Sequence, residues 1–140
     1  MNKPVMHKPA PPPTSDTAEY WQACNRHELL YQRCNSCSHV QFYPRRICTV
    51  CQSNDLGWHR SAQKGTIHSF TVVHRTANRA FDADVPFVLA LIDLDEGFRM
   101  MTNVIGEEYW KAAIGRRVRV VFEQHSSGQK LPQAILERLA

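Results

Sequence analysis

Apolar and polar positions change rhythm three times along the chain. Residues 1–15 carry Pro4, Pro9, Pro11, Pro12 and Pro13 and offer little to bury, which predicts a flexible, partly extended tail. Asp16 with Glu19 three positions later has the form of a capping box, and Tyr20, Trp21 and Cys24 then fall on one helical face. A packing helix is therefore expected within residues 16–29. Residues 30–60 hold only short apolar runs: Leu29 to Gln32, then Val40-Gln41-Phe42-Tyr43 as a brief strand that Pro44 breaks. Trp58 is placed to close this small module against the next one in the chain.

From Gly65 onward the period is two. Thr66–His74, Pro86–Leu94, Phe98–Val104, Arg117–Glu123 and Pro132–Leu139 read as strands. Asp95-Glu96-Gly97 and Ser126-Ser127-Gly128 supply turns, and Glu107–Lys111 supplies a short helical segment before Gly115. Val118, Val120 and Phe122 are expected to point inward. Five strands with a helical segment between the third and fourth predict a Greek-key barrel of the OB type over residues 61–140. The strand Phe87–Leu94 is apolar on both faces, Phe87, Leu89 and Leu91 on one and Val88, Ala90 and Ile92 on the other. A barrel strand buries one face, so the second is expected to be covered by the ribbon, the helix or another protein.

The cysteines add chemistry to residues 30–60. Cys34-x2-Cys37-x10-Cys48-x2-Cys51 forms two short knuckles that can aim four sulfurs at one ion. Four thiolates complete a tetrahedral shell around Zn2+ and leave no position for water or substrate, so one structural zinc ion is expected. Disulfides among the same sulfurs are the alternative. Arg33, Arg45 and Arg46 stand beside the knuckles to offset the residual negative charge of such a cluster. Ser38 and Gln52 occupy places where glycine commonly turns the knuckle, so those turns must form without it. His39 and His59 read as surface residues beside a complete ligand set. Cys24, the odd thiol, reads as a small apolar side chain on the helix.

Charge narrows the partners. Of the net +4, residues 1–60 carry seven Lys/Arg against four Asp/Glu, while residues 61–140 carry ten against nine. A zinc–tetrathiolate cluster would cancel about two units of the excess, so the barrel half lacks the basic footprint of a phosphate-backbone binder. No apolar run approaches the ~18 residues that a membrane span needs, and residues 1–15 lack the apolar stretch of a signal peptide. With cysteines spaced for metal, a reducing, cytoplasmic setting is expected. There is no Gly-x-Ser-x-Gly elbow, phosphate-cradling glycine loop or His-Glu-x-x-His, so no catalytic residue is assigned.

A set of segments in one collinear order then carries a family resemblance. It runs through Tyr20-Trp21, Leu30-Tyr31-Gln32-Arg33-Cys34, Tyr43-Pro44-Arg45, Trp58 and Gly65-Thr66-Ile67-His68-Ser69-Phe70-Thr71-Val72-Val73. Pro86-Phe87, Leu94-Asp95-Glu96-Gly97 and Ile114-Gly115-Arg116-Arg117-Val118 complete it, over roughly residues 19–125. The chain resembles the rubredoxin-like zinc-ribbon/OB-fold family, a domain of unknown function associated with acyl-CoA and thiolases. The resemblance implies a mainly β protein with an N-terminal helix, a rubredoxin-like zinc ribbon at 30–60 and a five-stranded OB barrel at 61–140. It also implies an accessory or scaffold protein, not an enzyme on its own, that partners a thiolase or thiolase-like enzyme and an acyl-CoA in lipid metabolism.

For such a ligand, phosphates need cations, and adenine and pantetheine need apolar surface. Arg75, Arg79 and Phe81, close together after the first barrel strand, are the candidate ligand-binding residues, with Lys64 nearby. Arg117 and Arg119 share the outer face of one strand and read first as solvating it. Single-stranded nucleic-acid binding is the alternative function, since both modules serve it elsewhere. Phe87–Leu94 offers one aromatic and no Lys or Arg, a poor stacking groove, so nucleic acid is not expected as the partner. The oligomeric state is left open.

Overall fold

The computed structural model describes residues 7–138. Pro4 of the proline-rich segment and Leu139 of the expected last strand lie outside them. The chain is mainly β, with one α-helix, a three-stranded ribbon sheet and a closed five-stranded barrel.

Helix α1 spans Ala18–Asn25, with Tyr20, Ala23 and Cys24 buried. The capping box does not form. Thr17 occupies the N-cap position without a side-chain cap, and Thr14 meets the helix start instead, its carbonyl accepting from Thr17 and Ala18. Asp16 turns away to accept from Arg46 Nε at 2.9 Å, because a guanidinium from the ribbon is a stronger partner than a backbone amide. Arg26 caps the helix C-terminus, and His27 just beyond takes φ 60° and stacks on Phe122 of the barrel.

The ribbon sheet has strand order β2-β1-β3, where β1 is Leu30–Cys34, β2 is Val40–Gln41 and β3 is Leu56–Arg60. The barrel strands are β4 (Lys64–Val73), β5 (Phe87–Leu94), β6 (Arg99–Ile105), β7 (Arg117–Gln124) and β8 (Lys130–Leu136). They close in the order β4-β5-β6-β8-β7, antiparallel except for the β6–β8 pairing, the OB arrangement expected from the strand pattern. The helical segment between β6 and β7 is a single 3-10 turn, Tyr109–Lys111.

Closure depends on one residue without a side chain. Gly65 of β4 pairs with Leu94 of β5 on one side and Val118 of β7 on the other. A Cβ at Gly65 would lie 2.6 Å from the Asp93 carbonyl oxygen, so only glycine lets the strands meet there. Just beyond, the register shifts between Ile67 and Ser69, and β4 bends around the barrel at this bulge.

The core runs without a break from α1 through the ribbon into the barrel. Tyr20, Cys24 and Leu29 belong to the same buried cluster as Ile67, Val88, Ile92, Val118 and Val120. Phe98, in the β5–β6 turn, lies between ribbon rings. Its centroid is 4.9 Å from Tyr31 and 5.2 Å from Phe42, both stacked, and Tyr20 meets Phe42 edge-on at 5.6 Å. Trp58 packs against the same cluster, as its position foretold. Val118 and Val120 point inward as expected, while Phe122 is half-buried and continues the same face toward His27.

Polar contacts reinforce the seam. Glu96 accepts from Ser61 Oγ at 2.8 Å and Ala62 N at 2.6 Å, tying the ribbon-to-barrel linker to the turn that carries Phe98. Gln129 and Lys130 of the β7–β8 hairpin reach back to Trp21 O and Asn25 Oδ1 of α1.

Replacing Gly65 by Ala is expected to cost about 2 kcal/mol or more, as the added methyl meets fixed backbone. Phe98→Ala should cost about 3–5 kcal/mol by removing the ring that both modules share. Urea unfolding followed by tryptophan fluorescence and by barrel circular dichroism should show a single transition in the wild type, and loss of that coincidence in Phe98→Ala.

Candidate metal centre and barrel groove

The two cysteine knuckles are built alike. Cys34 and Cys48 open them; Ser38 N donates to Cys34 O at 2.9 Å and Gln52 N to Cys48 O at 3.1 Å. Cys34 N then donates to His39 O, and Cys48 N to Ser53 O. Ser38 and Gln52 sit at φ 67° and 63°, so the turns do adopt the left-handed conformation that glycine would favour, with side chains that tolerate it less well. Backbone amides point at sulfur: Cys37 N to Cys34 Sγ at 3.5 Å, and Val50 N to Cys48 Sγ at 3.4 Å.

All four Sγ atoms lie within 4.8 Å of one another, with Cys34–Cys51 at 3.5 Å and Cys37–Cys48 at 3.6 Å. A tetrahedron with Zn–S of about 2.3 Å has edges of about 3.8 Å. These separations fit one zinc ion and are far beyond a disulfide bond of about 2 Å. Cys34 and Cys48 are buried and Cys37 and Cys51 exposed, so the centre is a rim site with one closed side.

Electrostatics argue for the same ion. The Cys37 amide beside it brings the Cys34 thiol down to about 6, and the Cys51 amide likewise lowers Cys48. Cys37, although the His39 backbone bond lowers it, is pushed up to about 12 by local desolvation and by the sulfurs around it. Four thiolates at this spacing repel too strongly to coexist alone, and a divalent cation resolves the conflict. Zinc held by Cys34, Cys37, Cys48 and Cys51 would lock both knuckles together and leave no ligand position for chemistry.

A buried glutamine pair positions the second knuckle, and sequence reading missed it. Gln41 Nε2 donates to Gln32 Oε1 at 2.8 Å. Gln32 also accepts from Arg45 N at 2.9 Å and donates to Arg45 O at 3.0 Å, while Gln41 Oε1 accepts from Thr49 N at 3.0 Å. The loop carrying Cys48 thus hangs on amides from β1 and β2. Glutamine is common on surfaces; a signal was its place at the inward positions of both short strands. Of the arginines near the cluster, Arg46 does other work, binding Asp16 and Ser15. Cys24 is fully buried and its thiol is pushed up to about 11 by desolvation, so it is a packing residue.

The barrel carries a groove of about 660 Å3 between the β4–β5 connection, β6 and the β7–β8 hairpin. Phe81, Phe87, Val104, Tyr109 and Leu131 give it an apolar lining, with Asn103 and Gln133 among the polar groups. Of the three candidate ligand residues, Phe81 lines this groove. Arg75 and Arg79 are exposed on the same connection and do not. The paired carboxylates on the outer face are structural. Arg99 holds Asp93 below the usual carboxylate range, and Arg117 does the same for Asp95 through bonds of 2.8 and 2.7 Å. Leu89 and Leu91 are half-buried and Met101 beside Leu91 is exposed, so the ribbon and helix do not cover the second face of β5.

Comparison with known proteins agrees with this geometry. Residues 21–57 match the family model "ChsH2, rubredoxin-like zinc ribbon domain", and residues 58–123 match "ChsH2, C-terminal OB-fold domain". A "DUF35 domain-containing scaffold protein" of Methanocaldococcus jannaschii is 31% identical over 100 residues, covering 71% of this chain and 70% of that protein. The chain belongs to the DUF35 family. A "Probable enoyl-CoA hydratase alpha subunit" of Thermomonospora curvata is 34% identical over 116 residues, 83% of this chain. The DUF35 chain spans only 36% of that subunit's length. Among solved structures, a chain of "Ltp2-ChsH2(DUF35) aldolase" superposes with a TM-score of 0.79 and 30% identity, covering 91% of this chain and 98% of that one. Among the described residues, no helix is long and apolar enough to cross a membrane.

Elemental analysis of the purified protein should return one zinc per chain, and Cys48→Ser should lose most of it. Gln41→Leu leaves Thr49 N without its acceptor and should cost about 1–3 kcal/mol. The same variant should surrender zinc to a colorimetric chelator several-fold faster than the wild type.

Proposed function

We propose that this protein is a zinc-stabilised, non-catalytic accessory subunit for a thiolase or thiolase-like enzyme that works on an acyl-CoA in cytoplasmic lipid metabolism. One observation carries the reading: nearly the whole of this chain superposes on a chain of an Ltp2-ChsH2(DUF35) aldolase. The probable enoyl-CoA hydratase alpha subunit of Thermomonospora curvata supports an acyl-CoA setting, and the scaffold protein of Methanocaldococcus jannaschii supports a role in holding other subunits. A metal centre with every ligand position filled by sulfur suits a rigid docking element better than a catalyst.

The groove beside Phe81 falls within the volume range of small-ligand sites. We assign it to the acyl-pantetheine arm, and we assign Arg75 and Arg79, exposed on the same connection, to the phosphates. The partly exposed apolar strip of Leu89, Leu91 and Met101 supports a protein partner over single-stranded nucleic acid, which requires exposed aromatics and cations on that face.

The zinc-loaded protein, mixed with the thiolase-like enzyme encoded nearest to it, should elute as one complex in size-exclusion chromatography with light scattering. Calorimetry with a medium-chain acyl-CoA should give micromolar binding, weakened about 10-fold in Arg75→Ala/Arg79→Ala, a loss of about 1.4 kcal/mol. A folded, zinc-loaded protein that bound neither enzyme nor thioester would sink the proposal.

A further inference from the structure

Residues 7–9 of the proline-rich segment lie along the barrel groove, and among the described residues Lys8 ties them to it. Lys8 reaches both banks of the groove at once. Its ammonium lies 2.5 Å from Asp84 and 5.7 Å from the Phe81 ring centre on the β4–β5 connection. Its carbonyl meets His125 Nε2 at 2.9 Å on the β7–β8 hairpin. His125 Nδ1 accepts from Ser127 N at 2.9 Å, so in the neutral ring the proton sits on Nε2 and points at Lys8 O. Pro9 comes next and biases Lys8 toward an extended backbone, the conformation that lets side chain and carbonyl point to opposite banks. His7, Lys8 and Pro9 all line the groove.

We propose that residues 7–9 form a strap across the barrel groove, latched by Lys8, so that the groove is a docking site for the chain's own N-terminal segment. This is recognition of an extended, proline-bearing peptide by an aromatic-sided groove, carried out within one chain. The latch is weak by construction. Lys8 and Asp84 are both more than a third exposed, and an ion pair in that setting is screened by salt and contributes little. The strap therefore opens readily and regulates entry to the groove, whichever molecule enters. The inference stands apart from the acyl-CoA reading, because it concerns a wall of the groove that the chain itself supplies.

The test uses the full-length, zinc-loaded protein and the dye 8-anilinonaphthalene-1-sulfonate, which brightens in apolar grooves. Lys8→Met and Asp84→Asn change charge in opposite directions, and simple attraction of the anionic dye would make the first dimmer and the second brighter. A latch makes both brighter, by about 3-fold or more, with the double variant no brighter than the better single one. Leu131→Glu in the Lys8→Met background should return the signal to the wild-type level, since it places a charge in the groove itself. Opposite responses of the two single variants, no response in either, or dye that stays bright with Leu131→Glu would overturn the strap. Nuclear Overhauser contacts between Lys8 and the Phe81 ring in the unmodified protein are expected independently, and their absence overturns it as well.

Discussion

Phe98 lies flat between Tyr31 and Phe42, and through it a ribbon too small to be stable alone shares a core with a barrel. The ribbon sheet has strands of five, two and five residues and can bury few side chains by itself. Metal ligation fixes its far end, and the aromatic stack fixes its near end. Glu96 ties the linker to the turn that carries Phe98, so the ring and the chain that leads to it are held together. Rigidity of this kind would suit the accessory role proposed above.

The metal centre and the groove stand at different places and do different work. In the ribbon, polar satisfaction is complete: the glutamine pair meets the backbone of the second knuckle, and amides meet sulfur before any ion is considered. Such preorganisation lowers the cost of arranging four like charges around one cation. In the barrel the groove mixes apolar walls such as Phe81, Phe87 and Leu131 with charged and polar groups such as Asp84, Glu123 and Gln133, and residues 7–9 lie along one side. The first arrangement favours permanence and the second favours exchange.

The outer surface divides in a similar way. Across the seam at β4, β5, β6 and β7, Asp93 and Asp95 are matched by Arg99 and Arg117. Next to it, half-buried Leu89 and Leu91 and exposed Met101 present apolar surface. A strip of this kind costs solubility unless something covers it for part of its life.

The chain by itself determined the architecture and which four cysteines come together. Period-two alternation with turn residues at Asp95-Glu96-Gly97 and Ser126-Ser127-Gly128 is local information, and so is the pairing of cysteines two residues apart. Strand limits came within a few residues because the pattern that sets them is carried by neighbours. Contacts between distant segments were decided only in three dimensions. Asp16 had a plausible helix to cap and chose Arg46, thirty positions away. Gln32 and Gln41 look like surface residues until two strands bring them face to face. Gly65 is an ordinary glycine until β5 and β7 close on it from both sides. Arg75, Arg79 and Phe81 are close in sequence, yet the connection that holds them turns only Phe81 into the groove. Residues 7–9, which composition marks as free, find both banks of a groove through Lys8. Local propensity comes from a residue and its neighbours, whereas a partner's identity depends on which remote groups the folded backbone brings within a few ångströms.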